Sequence, residues 1–456
     1  LAHTGSGTGA KFLQQLEIRL EGRGRTNMLS PEDNEILTRV GPGTPMGDLI
    51  RRFWMPALLE EELAGPDGAP VKLRLLGEDL VAFKDTDGRI GILDAYCPHR
   101  RVQLYYGRNE ECGLRCVYHG WKFDVDGVCT DMPSEPDETN FSAKVSLTAY
   151  PVLARGGVVW VYMGPKENIP EPPEFEWSRL APMQRVAAKR LQKCNWAQAT
   201  EGGVDSAHIS YLHSKIDPDH PVNAGLPGGG QSGDRHPVFE VKETNYGLLI
   251  GARREREDKY WWRITQFLVP FYQMIPGPIR SEDMKSPHYG GHAWVPIDDE
   301  NTWTWSFGAS PDYEYTPAQR QNFGPEGNYW GPVDAEYNPV QNDANDYGLD
   351  RKVQRAGNYT GIAGIPNQDA AVQESMGPIV DRSKERLGQS DTAIIQFRKL
   401  LLRLAAELKA GKEPEAPAHG DWYNVRSVAV ALEKDVPFDE GAAPYFAGID
   451  IAKAAE

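Results

Sequence analysis

Cys97-Pro98-His99-Arg100 and Cys116-Val117-Tyr118-His119-Gly120-Trp121 decide the fold of the first half of this chain. Each stretch offers one thiolate and one imidazole, and 16 residues separate them. A [2Fe–2S] cluster of Rieske type takes two thiolates on one iron and two imidazoles on the other, so two such loops can clamp it between them. Neutral imidazoles leave less negative charge than four thiolates would and raise the reduction potential. The alternative is structural zinc, but zinc modules usually pair Cys with Cys and His with His at other spacings. Cys112 could replace Cys116 as a thiolate, although Cys116 has the better spacing to His119. Cys112, Cys129 and Cys194 are then expected as packed free thiols.

Around these loops, from Val71 to Met163, short apolar runs alternate with turn pairs such as Asp87-Gly88 and Asp126-Gly127, the pattern of a compact antiparallel β domain. The Pro-rich segment Pro165 to Pro182 suits a linker. Beyond it, Cys194 to His213 has a helical pattern, and strand pairs follow with turns at Asn245-Tyr246-Gly247 and Asp298 to Asn301. Residues 310–360, rich in Pro, Asn, Gly and Tyr, are expected as a long cover loop. Ser390-Asp391 can cap an amphipathic helix running to Leu408. The expected class is α+β: an N-terminal segment and antiparallel β domain over residues 28–165, then an α+β domain over 166–456. Residues 1–27 are polar and Gly-rich, lack a secretory pattern, and are taken as an added leader or upstream extension.

Bulk properties narrow the function. The 456 residues are 40% hydrophobic and 25% charged, an ordinary globular profile. A net charge of −16 argues against nucleic acid or anionic membrane as partner, and no apolar run approaches the roughly 18 residues of a membrane helix. Five cysteines without a secretory pattern suggest the cytoplasm and metal binding rather than disulfides.

A second metal site is written in Asp205-Ser-Ala-His208-Ile-Ser-Tyr211-Leu-His213. Histidines five apart lie about 140° apart on an ideal helix, so the helix must end or loosen between them. With a distant carboxylate they would form a two-His-one-carboxylate triad that leaves positions on Fe(II) open for dioxygen. Asp205, three residues before His208, would share its helical face and accept its imidazole N–H. The stretch Ile365 to Asp381 offers the carboxylate: Asp369 is the choice and Glu374 the reserve.

Together Cys97-x-His99-Arg100, Cys116-x-Tyr118-His119-Gly120-Trp121 and Asp205-x2-His208-x4-His213 resemble the α-subunit pattern of Rieske non-haem-iron aromatic-ring-hydroxylating oxygenases. The flanking MLSPEDNEILTRVGPGTPMGDLIRRFW and QDAAVQESMGPIVDRSKERLG are similar to the phthalate 4,5-dioxygenase-like branch. The resemblance implies a helix-grip catalytic domain, a curved antiparallel sheet around a helix. It implies a homotrimer, single or stacked, in which Asp205 bridges His208 to His119 of the neighbouring subunit. It further implies that Asn195 keeps an amide near the iron without ligating it, and that Asp369 is the carboxylate ligand. Electrons would come from a separate reductase using NADH, FMN and a plant-type [2Fe–2S] centre; the chain shows no Gly-rich nicotinamide fingerprint of its own.

The expected substrate is an aromatic carboxylate of phthalate, chlorobenzoate or phenoxybenzoate type, converted with dioxygen by cis-dihydroxylation. Monooxygenation or O-demethylation of a methoxy aromatic acid is the alternative. Such an acid calls for a cation in the pocket, and Arg235, Arg253, Arg254 and Arg263 are the candidates. Two readings from other classes are a Rieske electron carrier without oxygenation and a zinc-stabilised interaction protein.

Overall fold

A computed structural model of the chain describes residues 28–223, 234–276, 289–327 and 329–448. Residues 1–27, and with them the expected leader, lie outside the described residues. The fold is a cluster of small antiparallel sheets followed by one large antiparallel sheet with helices against it.

In the first half, β1 (Trp54–Leu59), β2 (Val71–Leu75), β3 (Glu78–Lys84) and β4 (Ile90–Asp94) precede four short strands. These are β5 (Arg108–Glu110), β6 (Gly113–Arg115), β7 (Lys122–Phe123) and β8 (Cys129–Asp131). β9 (Ala149–Tyr150), β10 (Val152–Arg155) and β11 (Val158–Tyr162) complete the set. They form sheets ordered β1-β11-β10, β2-β3-β4-β9 and β5-β6-β7-β8. A buried cluster including Val81, Phe83, Leu93, Leu104, Leu114 and Phe123 also takes in Cys97, Cys116 and Trp121, so the two cysteine loops are anchored in an apolar core.

The second half is built on β12 (Arg185–Gln192), β13 (Val238–Thr244), β14 (Gly247–Glu255), β15 (Lys259–Leu268) and β16 (Tyr272–Ile275). β17 (Tyr289–Pro296), β18 (Thr302–Ala309) and β19 (Val428–Glu433) complete an eight-stranded sheet. Its order is β12-β18-β17-β16-β15-β14-β13, with β19 pairing β15. Cross-strand partners share a face and faces alternate along each strand. The register therefore puts Arg254, Arg263, Phe267, Gln273, His292, Ser306 and Arg190 on one inner face. Helices Trp196–Val204 and Thr392–Lys409 pack on that face: Gln273 Nε2 donates to the Thr200 carbonyl, and Phe397 meets Phe267 edge-on at 5.0 Å. The expected antiparallel sheet with helices against it is what is observed.

Three local expectations are corrected. The segment Pro165–Pro182 is pinned down: Trp177 stacks on Phe307 at 4.0 Å, Phe175 packs on Tyr272 and Tyr423, and Glu176 accepts from Arg426 at 2.8 Å. Its aromatic residues have more apolar surface to bury than a solvated linker allows. Residues 310–360 contain helices Pro317–Phe323 and Arg351–Ala356 and a 3-10 stretch between them, so the expected cover has structure of its own. Asp391 does precede the last long helix, but its carboxylate accepts from the Gly388 N–H instead of capping that helix.

Candidate metal centres

The two cysteine loops are copies of one backbone device. In the first, the Cys97 N–H donates to the Val102 carbonyl and the Arg101 N–H returns to the Cys97 carbonyl, each at 2.9 Å. In the second, the Cys116 N–H donates to the Trp121 carbonyl at 2.8 Å and the Gly120 N–H returns to Cys116 at 3.0 Å. The fourth position after each cysteine is left-handed, φ 59° at Arg101 and 79° at Gly120. At Gly120 a Cβ would lie 2.7 Å from the Pro133 ring, so only glycine serves there.

These loops bring the four expected residues together. The His99 and His119 rings lie 4.3 Å apart, and Trp121 stacks on His99 at 4.5 Å. Among the described residues the buried Nδ1 of each histidine has no hydrogen-bond partner, a costly state unless a ligand takes the lone pair. Each thiol acts on the other's ionisation: Cys97 holds Cys116 below its usual range, and Cys116 together with burial pushes Cys97 up. Two orphaned imidazole nitrogens and two buried thiols carried on this pair of loops fit a Cys2His2 [2Fe–2S] cluster. Cys112 stands apart, bonded to the Asp87 carboxylate at 3.3 Å, while Cys129 and Cys194 are buried.

The second centre forms where the helix Trp196–Val204 ends. Asp205 is extended and a single 3-10 turn, His208–Ser210, follows, so the helix stops before the first histidine. Asp205 and His208 still meet at 3.3 Å, though through this turn and not along a helical face. His208 and His213 point their Nε2 atoms at each other, 3.2 Å apart, and Asp369 Oδ1 lies 3.3 Å from one and 3.8 Å from the other. All three ligand atoms fall within 4.8 Å, the arrangement of a metal trio. Each histidine has its Nδ1 at an acceptor, Asp205 for His208 and Gln368 Oε1, at 2.7 Å, for His213, which frees both Nε2 lone pairs for a metal. Burial opposes ionisation of Asp369, but His213 and His208 outweigh it and hold the carboxyl below its usual range.

Other expected residues divide. Glu374, the reserve ligand, accepts from the Tyr347 hydroxyl at 2.6 Å and is no part of the trio. Asn195 is corrected: it is fully buried as the N-cap of the helix Trp196–Val204, accepts from the Ala197 N–H, and gives its amide to the Thr38 and Asp299 carbonyls. Its hydrogen-bonding capacity is spent about 13 Å of helix away from Asp205. Arg253 is on the outer face of the sheet, over the Tyr260 ring, so the strand alternation turns it from the metal trio. Arg235 is exposed above Tyr211. Arg263 remains, on the inner face, 9% exposed and close enough to oppose protonation of His213.

Sequence reasoning missed Gln368, His292 and Arg190. Gln368 adjoins Asp369 with no spacing signal of its own. His292 and Arg190 share the inner face behind Asp369, which only strand register reveals; burial pushes the His292 imidazole down to about 4.

Residues 53–151 match the Rieske [2Fe-2S] domain family model, and residues 161–438 match the LigXa C-terminal domain like model. The chain is 40% identical over 446 residues to the phthalate 4,5-dioxygenase oxygenase subunit of Pseudomonas putida, covering 93% of this chain and 97% of that one. It is 38% identical to the 3-chlorobenzoate-3,4-dioxygenase oxygenase subunit of Comamonas testosteroni, covering 87% and 93%. The terminal oxygenase of carbazole 1,9a-dioxygenase from Nocardioides aromaticivorans shares the fold, with a TM-score of 0.54 at 18% identity over 83% of this chain and 98% of that one. With both family models matched in order and relatives aligned along nearly its whole length, the chain belongs to the Rieske [2Fe–2S] oxygenase subunits that carry a LigXa-like C-terminal domain.

Proposed function

We propose that this protein is the terminal oxygenase of a multicomponent system that cis-dihydroxylates the ring of an aromatic carboxylate with dioxygen. Cys97, His99, Cys116 and His119 hold the cluster, and His208, His213 and Asp369 hold a mononuclear iron. When bound, the cluster supplies electrons and the iron supplies the site of dioxygen reduction. Asp205 fixes the His208 ring and links the two centres across a subunit boundary, residues 28–165 and 166–456 serving as the two functional units. A trimer, single or stacked, and a separate NADH-dependent reductase with FMN and a plant-type [2Fe–2S] centre complete the system in the cytoplasm.

The observation that carries the substrate class is Arg263. Its guanidinium sits on the inner face near His213 and bonds to Thr265 Oγ1 at 3.3 Å, and among the described residues it makes no ion pair. Burial and the Arg254 charge push it down to about 10 against the favourable influence of Asp205, so it is cationic at neutral pH without a directly paired carboxylate among the described residues. A substrate carboxylate would satisfy it by charge-assisted hydrogen bonding and leave the ring beside the metal trio. Similarity to phthalate and 3-chlorobenzoate dioxygenase subunits supports the same class.

The test mixes the reduced holoenzyme with dioxygen and phthalates, benzoates or phenoxybenzoates, and identifies single-turnover products by mass spectrometry. A dihydrodiol from one acid is expected, with Arg263→Gln raising KM about tenfold or more at unchanged iron content. Equal conversion of an uncharged ring analogue would refute the carboxylate, and a phenol or formaldehyde product would refute dihydroxylation.

A further inference from the structure

The turn that joins Asp205 to His208 and Ser210 has one short 3-10 stretch and, among the described residues, no strand partner, yet it carries two residues whose placement matters most. Among the described residues, one basic side chain of the sheet hydrogen-bonds to it. Arg254, on β14 and 1% exposed, donates from Nη2 to the Ser206 carbonyl at 2.8 Å and to the Ser210 hydroxyl at 3.3 Å. Among the described residues its buried Nε and Nη1 have no hydrogen-bond partner, and it makes no ion pair. Trp261 lies under it at 5.7 Å. A buried guanidinium with no direct ion pair is expensive, and an apolar residue would pack the same space at lower cost. Asp205 and Asp234 are the carboxylates near enough to act on it.

Asp205 itself is divided. Oδ1 accepts the Ala207 N–H at 2.6 Å, Oδ2 faces His208, and a fifth of the side chain remains exposed for a group from outside. The Ser206 carbonyl that Arg254 grips belongs to the next residue in the chain, so loss of that grip frees Asp205 to swing. Arg254 shares a face with Arg263 as its diagonal neighbour, but its free nitrogens are sealed from solvent, which separates it from a substrate anchor.

We propose that Arg254 is a positioning residue for electron delivery: by tying Ser206 and Ser210 it aims the anionic Asp205 at once toward His208 and toward the neighbouring subunit. The proposal rests on the reading of Asp205 as the bridge between the two centres. In the step concerned, one electron leaves the reduced cluster and one enters the mononuclear site, with no bond made or broken in Arg254 or Asp205.

The test compares wild type, Arg254→Gln, Arg254→Lys and Asp205→Asn as holoenzymes. Each is reduced, mixed with dioxygen and phthalate or 3-chlorobenzoate, and followed through the visible band of the cluster. Iron per chain and KM are measured alongside, as is hydrogen exchange of residues 205–210 in protein stripped of mononuclear iron. Arg254→Gln should keep its iron and its KM within about twofold, reoxidise its cluster about tenfold or more slowly, and exchange faster at 205–210. Arg254→Lys, which keeps the charge, should recover part of the rate. A wild-type rate in Arg254→Gln beside a slow Asp205→Asn would overturn the proposal alone, as would loss of iron or a large rise in KM. A fast Asp205→Asn would overturn the bridge reading itself. If Arg254→Gln does not fold, Arg254→Lys decides: slowed reoxidation at normal iron and KM upholds the role, and a wild-type rate sinks it.

Discussion

Asp369 and Glu374 lie five residues apart on the helix Ile365–Glu374, and their carboxylates have different partners. Asp369 faces two imidazole nitrogens, while Glu374 is occupied by the Tyr347 hydroxyl and the Lys193 N–H. Residue spacing alone favours Asp369 only weakly, because both are acids in one stretch and the deciding partners, Tyr347 and the two histidines, come from distant segments. The same holds for Asn195, whose neighbours in space, Thr38 and Asp299, are far away along the chain. The cysteine loops were legible as loops because their Cys and His residues and their backbone device are local. Replacing a coordinating carboxylate by an amide removes the charge the metal needs, whereas an acid paired with a tyrosine has no such duty. Asp369→Asn should therefore lose most of its mononuclear iron and Glu374→Gln should retain it, as metal analysis per chain will show; the reverse pattern would reassign the third ligand.

At the scale of elements, the five-residue spacing of His208 and His213 announced that the helix had to stop, but not where or why. It stops at Val204 after Gly202-Gly203, and those glycines are a packing requirement. A Cβ on Gly203 would collide with Gln273 Oε1 and the Trp294 ring, side chains of the sheet's inner face. Helix propensity alone would make Gly203→Ala stabilising by about 1 kcal/mol. The collision must push the helix off the sheet, and overpacking of this kind costs about 1–3 kcal/mol, so the steric effect wins. Gly203→Ala should lower the denaturation midpoint and displace Asp205 and His208, the next residues along. Thermal melting with metal analysis will decide; a variant more stable than wild type with full iron would mean the sheet yields instead.

Across the whole molecule, the division into a β half and an α+β half was readable from turn spacing and motifs, but the bonds between the halves were not, since none has a local pattern. Glu201, in the helix that leads to Asp205, accepts from Arg382 at 3.1 Å and from Arg398 at 2.7 Å. Arg382 also reaches Asn34 in the N-terminal segment, and Arg398 pairs with Glu385. The network thus fastens the N-terminal segment and the last long helix to the helix behind the metal trio. Burial opposes ionisation of Glu201, but the two guanidiniums outweigh it and hold its carboxyl below the usual range. A depressed folded value makes the contribution fully present above the unfolded carboxylate value of about 4.3, and lost as pH falls through the lower folded value. Glu201→Gln leaves Arg382 buried without a carboxylate, at a cost of about 3–5 kcal/mol at neutral pH. Since acid protonates wild-type Glu201 as well, the gap between wild-type and variant urea midpoints should be widest near pH 7 and narrow below pH of about 4. A gap that stays constant with pH would show that shape, and not charge, is what Glu201 contributes.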